Sequence, residues 1–176
     1  DAIYRAGHSV FVEEGVVSRT LCGGFRPGHF RGVLTVVAKL FNMVQPDRAY
    51  FGQKDLQQAF LIRKMAAEMD FPLRVVICPT MREKSGLAMS SRNAYLSEND
   101  RKRALCLKKS LDAVVSLAKN GVMDTAFLKE EGLKVLRSGT DSIDYLEVVG
   151  LDDLAPCRGL VSGKSYAVLC AARVGT

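Results

Sequence analysis

The sequence has 176 residues, 48% hydrophobic and 25% charged, with a formal net charge of +6. This is ordinary globular composition, with enough apolar material for one core or two small ones, and it excludes disordered, repetitive and low-complexity classes. No run of roughly 18 apolar residues and no signal-like start is present, and the five cysteines are odd in number and widely spaced, so the sequence reads as a soluble, cytosolic protein with free thiols and no membrane partner.

Taken in order, Val10-Phe11-Val12 suggests a short strand, and Gly23-Gly24 with Pro27-Gly28 marks a loop. The apolar periodicity from Phe30 to Val44 predicts a helix stopped by Pro46. A strand at Ala49 to Phe51, a helix from Lys54 to Met69 and a strand from Leu73 to Cys78 follow, with Pro72 and Pro79 as breakers. This alternation implies a parallel sheet with crossover helices. A polar loop, Arg82 to Asn93, leads to Ser97, whose hydroxyl with Asp100 three residues on predicts the cap of a helix reaching about Lys119. A helix over about Asp124 to Arg137 and strands at Ile143 to Val149 and Tyr166 to Ala172 complete the chain. The expected fold is α/β: a nucleotide-binding parallel-sheet domain over residues 1–80, then a small α+β domain over 81–176.

Three segments carry candidate chemistry. In open parallel sheets ligands bind beyond the carboxyl ends of the strands, and Gly52 through Gln58 lies at such an end. Gly52 leaves room for a ligand, the helix amino terminus favours an anion, and Lys54 adds a charge with three donors, so phosphate is the natural guest. Asp55 suits hydroxyls such as those of a ribose, and Gln58 can donate and accept. On a helical wheel Lys54, Asp55 and Gln58 extend the stripe of Ile62, Met65, Ala66 and Met69, with Arg63, Lys64 and Glu68 elsewhere. The trio is therefore expected to face inward, either to meet a polar ligand or to end a helix that has run past the sheet into solvent.

In the second segment, GLAMSSRNAYLS at residues 86–97, Ser90, Ser91 and Arg92 could wrap a polyphosphate in a loop able to close over a ligand, or could simply turn the chain. In the third, FRPGHFRGV at residues 25–33, His29 either supplies an imidazole near the site or caps the following helix, and Arg26 and Arg31 are either contacts or solvated ends. With only His8 and His29 and no C-x-x-C, no zinc site is expected. The positive charge suits an anionic ligand or nucleic acid, and equally an ordinary surface.

Read together, RPGHFRGVLTVVAKLFNMVQPDRAYFGQKDLQQAFLIRKM and PTMREKSGLAMSSRNAYLS closely resemble the pantothenate synthetase (pantoate-beta-alanine ligase) family, densely from about Phe25 to Ser97 and more loosely to Val174. The resemblance implies a Rossmann-like nucleotide-binding domain followed by a small carboxyl-terminal domain that covers the active site. It implies ATP-dependent joining of pantoate and beta-alanine through a pantoyl adenylate, with magnesium accompanying the ATP. Gly52 and Asp55 would hold the ribose, Lys54 the phosphates and Gln58 the pantoate. Backbone groups near Met81 and Met89 would meet the adenine. Ser90, Ser91 and Arg92 would bind phosphates in a loop similar in role to the K-M-S-K-S loop of class I aminoacyl-tRNA synthetases.

The family's amino-terminal H-x-G-H motif, whose histidines contact ATP phosphates, has no match here, since His8 lies in RAGHSV and His29 in RPGHF. The family's early strands and first pantoate glutamine are missing too, and no methionine precedes Met43, so the sequence reads as a fragment covering the later two-thirds of such an enzyme. Alone, it is expected to bind adenine nucleotide weakly and to ligate nothing. The family's dimerisation runs largely through its amino-terminal domain, which leaves the oligomeric state of this chain open. Two rival readings are another adenylate-forming nucleotidyltransferase, including a synthetase fragment, and a basic nucleic-acid-binding domain. The first should carry lysines where Ser91 and Arg92 stand, and the second lacks aromatic residues interleaved with its charges.

Overall fold

A computed structural model describes residues 3–175, and the chain divides into two compact units, residues 1–80 and 81–176. In the first, a short 3-10 turn at Val17–Arg19 precedes helix α1 (Cys22–Phe25), helix α2 (His29–Val44) and strand β1 (Arg48–Gly52). A second 3-10 turn, Gln53–Asp55, then leads into α3 (Leu56–Glu68) and strand β2 (Arg74–Cys78). β1 and β2 pair in parallel, from Arg48 opposite Arg74 to Gly52 opposite Cys78. A parallel pair needs a crossover rather than a tight turn, and α3 provides it.

α2 begins after Gly28, whose φ of 77° is the left-handed conformation glycine adopts without strain, and it ends at Gln45 just before Pro46. Its buried face, Phe30, Leu34, Thr35, Ala38 and Phe41, recurs at helical spacing and packs toward α3. Phe41 also meets Phe71 edge to face at 5.5 Å. Residues 10–12 do not form the expected strand. No strand among the described residues pairs with them, and the amide of Val12 instead donates to Thr35 Oγ1 at 2.9 Å.

The second unit contains a 3-10 turn (Ser91–Tyr95), helices α4 (Glu98–Arg103), α5 (Leu105–Lys119) and α6 (Thr125–Arg137), and strands β3 (Ser142–Gly150) and β4 (Tyr166–Arg173), which pair antiparallel. Ser97 caps α4 by accepting the Asp100 amide at 3.1 Å, and Asp124 caps α6 by accepting the amides of Ala126 and Phe127. The single helix expected from 98 to about 119 is broken at Ala104, where Gly139 lies so close that an added Cβ would stand 2.6 Å from the Arg103 carbonyl. Arg103 is also held by ion pairs to Asp100 and Asp141.

The core of this unit gathers Cys106, Val114, Leu128, Leu136, Leu146 and Val148. It is tight at Gly132 of α6, where an added Cβ would lie 2.7 Å from Val114 and 2.8 Å from Leu146. The buried Ser110 hydroxyl donates to the Gly132 carbonyl at 2.7 Å, so α5 and α6 are joined there by a hydrogen bond as well as by packing. Gly132→Ala should gain up to about 1 kcal/mol in helix propensity and lose more to overpacking, on the order of 1–3 kcal/mol. Urea unfolding is expected to show net destabilisation.

Candidate functional site

The strand-to-helix connection of the first unit positions the first group of candidates. The matched register brings Gly52 and Cys78 to the same end of the sheet, so the Gln53–Asp55 turn and Pro79-Thr80 leave from one edge. Lys54 and Asp55 lie in the 3-10 turn before α3, with side chains 40% and 63% exposed and 3.5 Å apart. An ion pair in so much solvent contributes little, so it yields readily to another partner. Nothing within 4 Å would meet a Cβ built on Gly52, so the backbone there is open to close approach. The first turn of α3 has no side-chain cap, and it follows directly on the 3-10 turn, whose backbone bonds run into it.

The expectation that Lys54 and Asp55 face inward is corrected by this geometry. Lys54 and Asp55 precede the α-helix, in a turn with a different residue period, so the wheel does not extend to them. Gln58 is partly buried, and the fully enclosed amide is that of Gln57, 4% exposed. Its Oε1 accepts the Cys22 amide at 3.0 Å, and its Nε2 donates to the carbonyls of Val17 and Thr20, each at 2.8 Å. The 17–25 segment thereby covers a face of α3 that the wheel assigned to solvent, and Leu56, Gln57, Ala59, Phe60, Leu61 and Ile62 are all buried. Ile62, Met65 and Ala66 are buried as the stripe predicts, whereas Met69, at the helix end, is exposed.

His29 opens α2 and packs its ring 5.1 Å from that of Phe30. Arg31 lies over the ring of Phe11, at 3.8 Å, and Arg26 forms the end of α1. Among the described residues no three His, Cys, Asp or Glu side chains are grouped to hold a metal ion, and all five cysteines are free thiols. No helix among them is long and apolar enough to cross a membrane.

The second group of candidates belongs to the 81–176 unit. The amide of Met89 donates to the Met81 carbonyl at 2.9 Å, so these two residues flank the base of one loop. Ser90 caps the 3-10 turn by accepting the Arg92 amide at 3.3 Å, and Ser91 and Arg92 are exposed. Behind them lies a polar cluster that sequence reading missed. Glu83 accepts from Asn93 Nδ2 at 3.0 Å and from Arg101 at 2.7 Å, while the other arm of Arg101 donates to the Asn93 carbonyl at 2.8 Å. The Asn93 amide, with Arg101 beside it, holds the Glu83 carboxyl below the ordinary glutamate range. No local signal joins residues that are 10 and 18 positions apart; only the polarity of all three hinted at a network.

The parallel strand pair with its crossover helix in the first unit, and the helices and antiparallel strands of the second, make this an α/β protein. The profile of one family, pantoate-beta-alanine ligase, matches residues 1–176, and the chain belongs to that family. It is 47% identical to pantothenate synthetase 1 of Bradyrhizobium diazoefficiens, over 100% of this chain and 62% of the relative. It is 46% identical to pantothenate synthetase of Thermotoga petrophila, over 99% of this chain and 62% of that protein. The crystal structure of the Thermus thermophilus enzyme shares 41% identity with a TM-score of 0.89, covering 98% of this chain and 64% of its own. A Francisella tularensis pantoate-beta-alanine ligase, described in complex with beta-gamma ATP and beta-alanine, shares 25% identity with a TM-score of 0.65, over 96% and 59%. The chain thus spans about 60% of the length of these relatives.

Two measurements check this geometry. Gln57→Ala removes the acceptor of the Cys22 amide and one donor from each of the Val17 and Thr20 carbonyls, which keep backbone donors of their own, and should cost about 1–3 kcal/mol in denaturant unfolding. In a carboxyl-resolved NMR titration Glu83 should titrate below ordinary glutamates, and Asn93→Ala should move it upward. Because the folded value is depressed, the stabilisation it brings is present above the unfolded pKa and is lost as pH falls through the folded one.

Proposed function

We propose that this chain supplies the later part of a pantoate-beta-alanine ligase: residues 1–80 as part of its Rossmann-like nucleotide-binding domain and residues 81–176 as its small carboxyl-terminal domain. The observation that carries the reading is the family match along the whole of residues 1–176, with the strand–turn–helix and serine–arginine motifs both present. In the reaction, the pantoate carboxylate attacks the α-phosphorus of ATP, forming pantoyl adenylate and expelling pyrophosphate. The amine of beta-alanine then attacks the acyl carbon, forming pantothenate and releasing AMP.

Lys54, beside the uncapped start of α3, exchanges its weak pairing with Asp55 for nucleotide phosphate. Gly52 and Asp55 meet the ribose, and Gln58 the pantoate. Backbone groups near Met81 and Met89 meet the adenine, and His29 is a further candidate contact. Ser90, Ser91 and Arg92 bind phosphate oxygens, Arg92 with a guanidinium fork suited to them. Negative charge grows on those oxygens in the first step, and the ammonium of Lys54, the guanidinium of Arg92 and the serine hydroxyls have the chemistry to stabilise it, to which the magnesium that accompanies ATP would add its charge. No covalent intermediate on the protein is needed. In the second step the requirement is to keep water from the adenylate while the amine is oriented. The substrates are small and soluble, and we assign the reaction to the cytoplasm, with the whole enzyme a homodimer.

The H-x-G-H histidines of the family are not among these residues, so the 176-residue chain by itself is expected to bind adenine nucleotide weakly and to release no AMP. Substituted for the matching 62% of the Thermotoga petrophila enzyme, it should restore pantoate-dependent AMP release, and Lys54→Ala in that chimera should lower kcat about 10²-fold. A folded chimera without activity counts against the reading. The nucleic-acid alternative instead predicts binding that falls steeply with salt and survives Lys54→Ala.

A further inference from the structure

We propose that Glu83, Asn93 and Arg101 are positioning residues that hold the Ser90-Ser91-Arg92 loop in its phosphate-binding conformation before a nucleotide arrives. The inference rests on the reading above, in which that loop meets the phosphates. A short polar loop with exposed side chains has many conformations of its own, and fixing each residue costs conformational entropy. Affinity improves when that cost is met in the free protein.

Asn93 is where the ordering is concentrated. Its amide N–H donates to the Ser90 carbonyl at 3.1 Å, closing the turn that contains Ser91 and Arg92. Its Nδ2 donates to the Ala88 carbonyl at 3.0 Å, so residues 88 and 93 are tied across the base of the loop. The same Nδ2 donates to Glu83 Oε1 at 3.0 Å, and its carbonyl accepts from Arg101 at 2.8 Å. Glu83 is in turn fixed by its backbone, donating to the Leu87 carbonyl and accepting from the Gly86 amide, both at 2.8 Å. Arg101 reaches a carbonyl with one nitrogen and a carboxylate with another, which the fork of a guanidinium allows and a single ammonium does not.

The charges are arranged to suit this role. Glu83 occupies Arg101, while Arg92, at the loop tip, has no ion pair among the described residues and is left for an anion. The side chains of Arg101 and Glu83 are 37% and 27% exposed, and neither residue belongs to the unit's apolar core. Their loss should disorder the loop without unfolding the unit.

Hydrogen exchange on the full chain without ligand, combined with NMR titrations of ATP and of adenosine, tests this. In Asn93→Ala and Arg101→Lys, exchange of the Arg92 and residue-93 amides, which the turn hydrogen-bonds, should accelerate about tenfold while the melting temperature moves little. ATP affinity should fall about tenfold while adenosine affinity holds, since only ATP carries phosphates. Arg92→Ala should weaken ATP alike and leave exchange unchanged. Unchanged exchange in Asn93→Ala, equal losses for ATP and adenosine, or faster exchange with ATP affinity intact would each overturn the proposal. If Arg92→Ala binds ATP as the parent does, the phosphate assignment itself fails, and the inference with it.

Discussion

The organisation of the first unit depends on the parallel pairing of β1 with β2. Parallel neighbours cannot be joined by a tight turn, so α3 must carry the chain back along the sheet, and both strands then end at the same edge. Gly52 opposite Cys78 is the result in residues. The chain emerges twice from one place, and the first emergence becomes a turn whose side chains are solvent-facing before it enters a helix with no side-chain cap. The apolar content of α3 holds that start in place from below, while the buried Gln57 amide ties the helix to the preceding segment.

The second unit separates its tasks differently. Its core is apolar and tight: α5 and α6 pack against β3 and β4, and approach each other so closely that only glycine fits at residue 132. Its loop is held by polar groups instead, through carboxylate, amide and guanidinium. A core of this kind tolerates little change in volume, whereas a polar clamp at the surface can be altered with limited effect on folding. Stability and loop geometry therefore rest on different residues within one unit.

Much of this was legible from the sequence where the signal was local. Pro46 ended α2, the alternation of elements implied the parallel sheet, and Ser97 and Asp124 announced the starts of α4 and α6. The candidate chemistry was also legible, because Gly52 to Gln58 and Ser90 to Arg92 are contiguous runs. What failed had long-range causes. Val10 to Val12 has the residues of a strand and no described partner, and Gln57 is inside because a segment 35 or more residues earlier covers it. The break at Ala104 coincides with the close approach of Gly139, from the far end of α6. The Glu83–Asn93–Arg101 cluster is likewise a product of the fold and not of any pattern along the chain.

The sheet of the first unit has one further consequence. β1 and β2 pair only with each other among the described residues, none of their ten residues is fully buried, and Tyr50 is 62% exposed. The outer rows of backbone donors and acceptors thus lie outside this pairing, and an edge of that kind is a template on which an extended chain, another copy included, can add. Arg48 and Arg74 stand in register at the entry to the pair, two like charges at its start. They act as gatekeepers against casual pairing at that end, leaving the glycine end as the more permissive one.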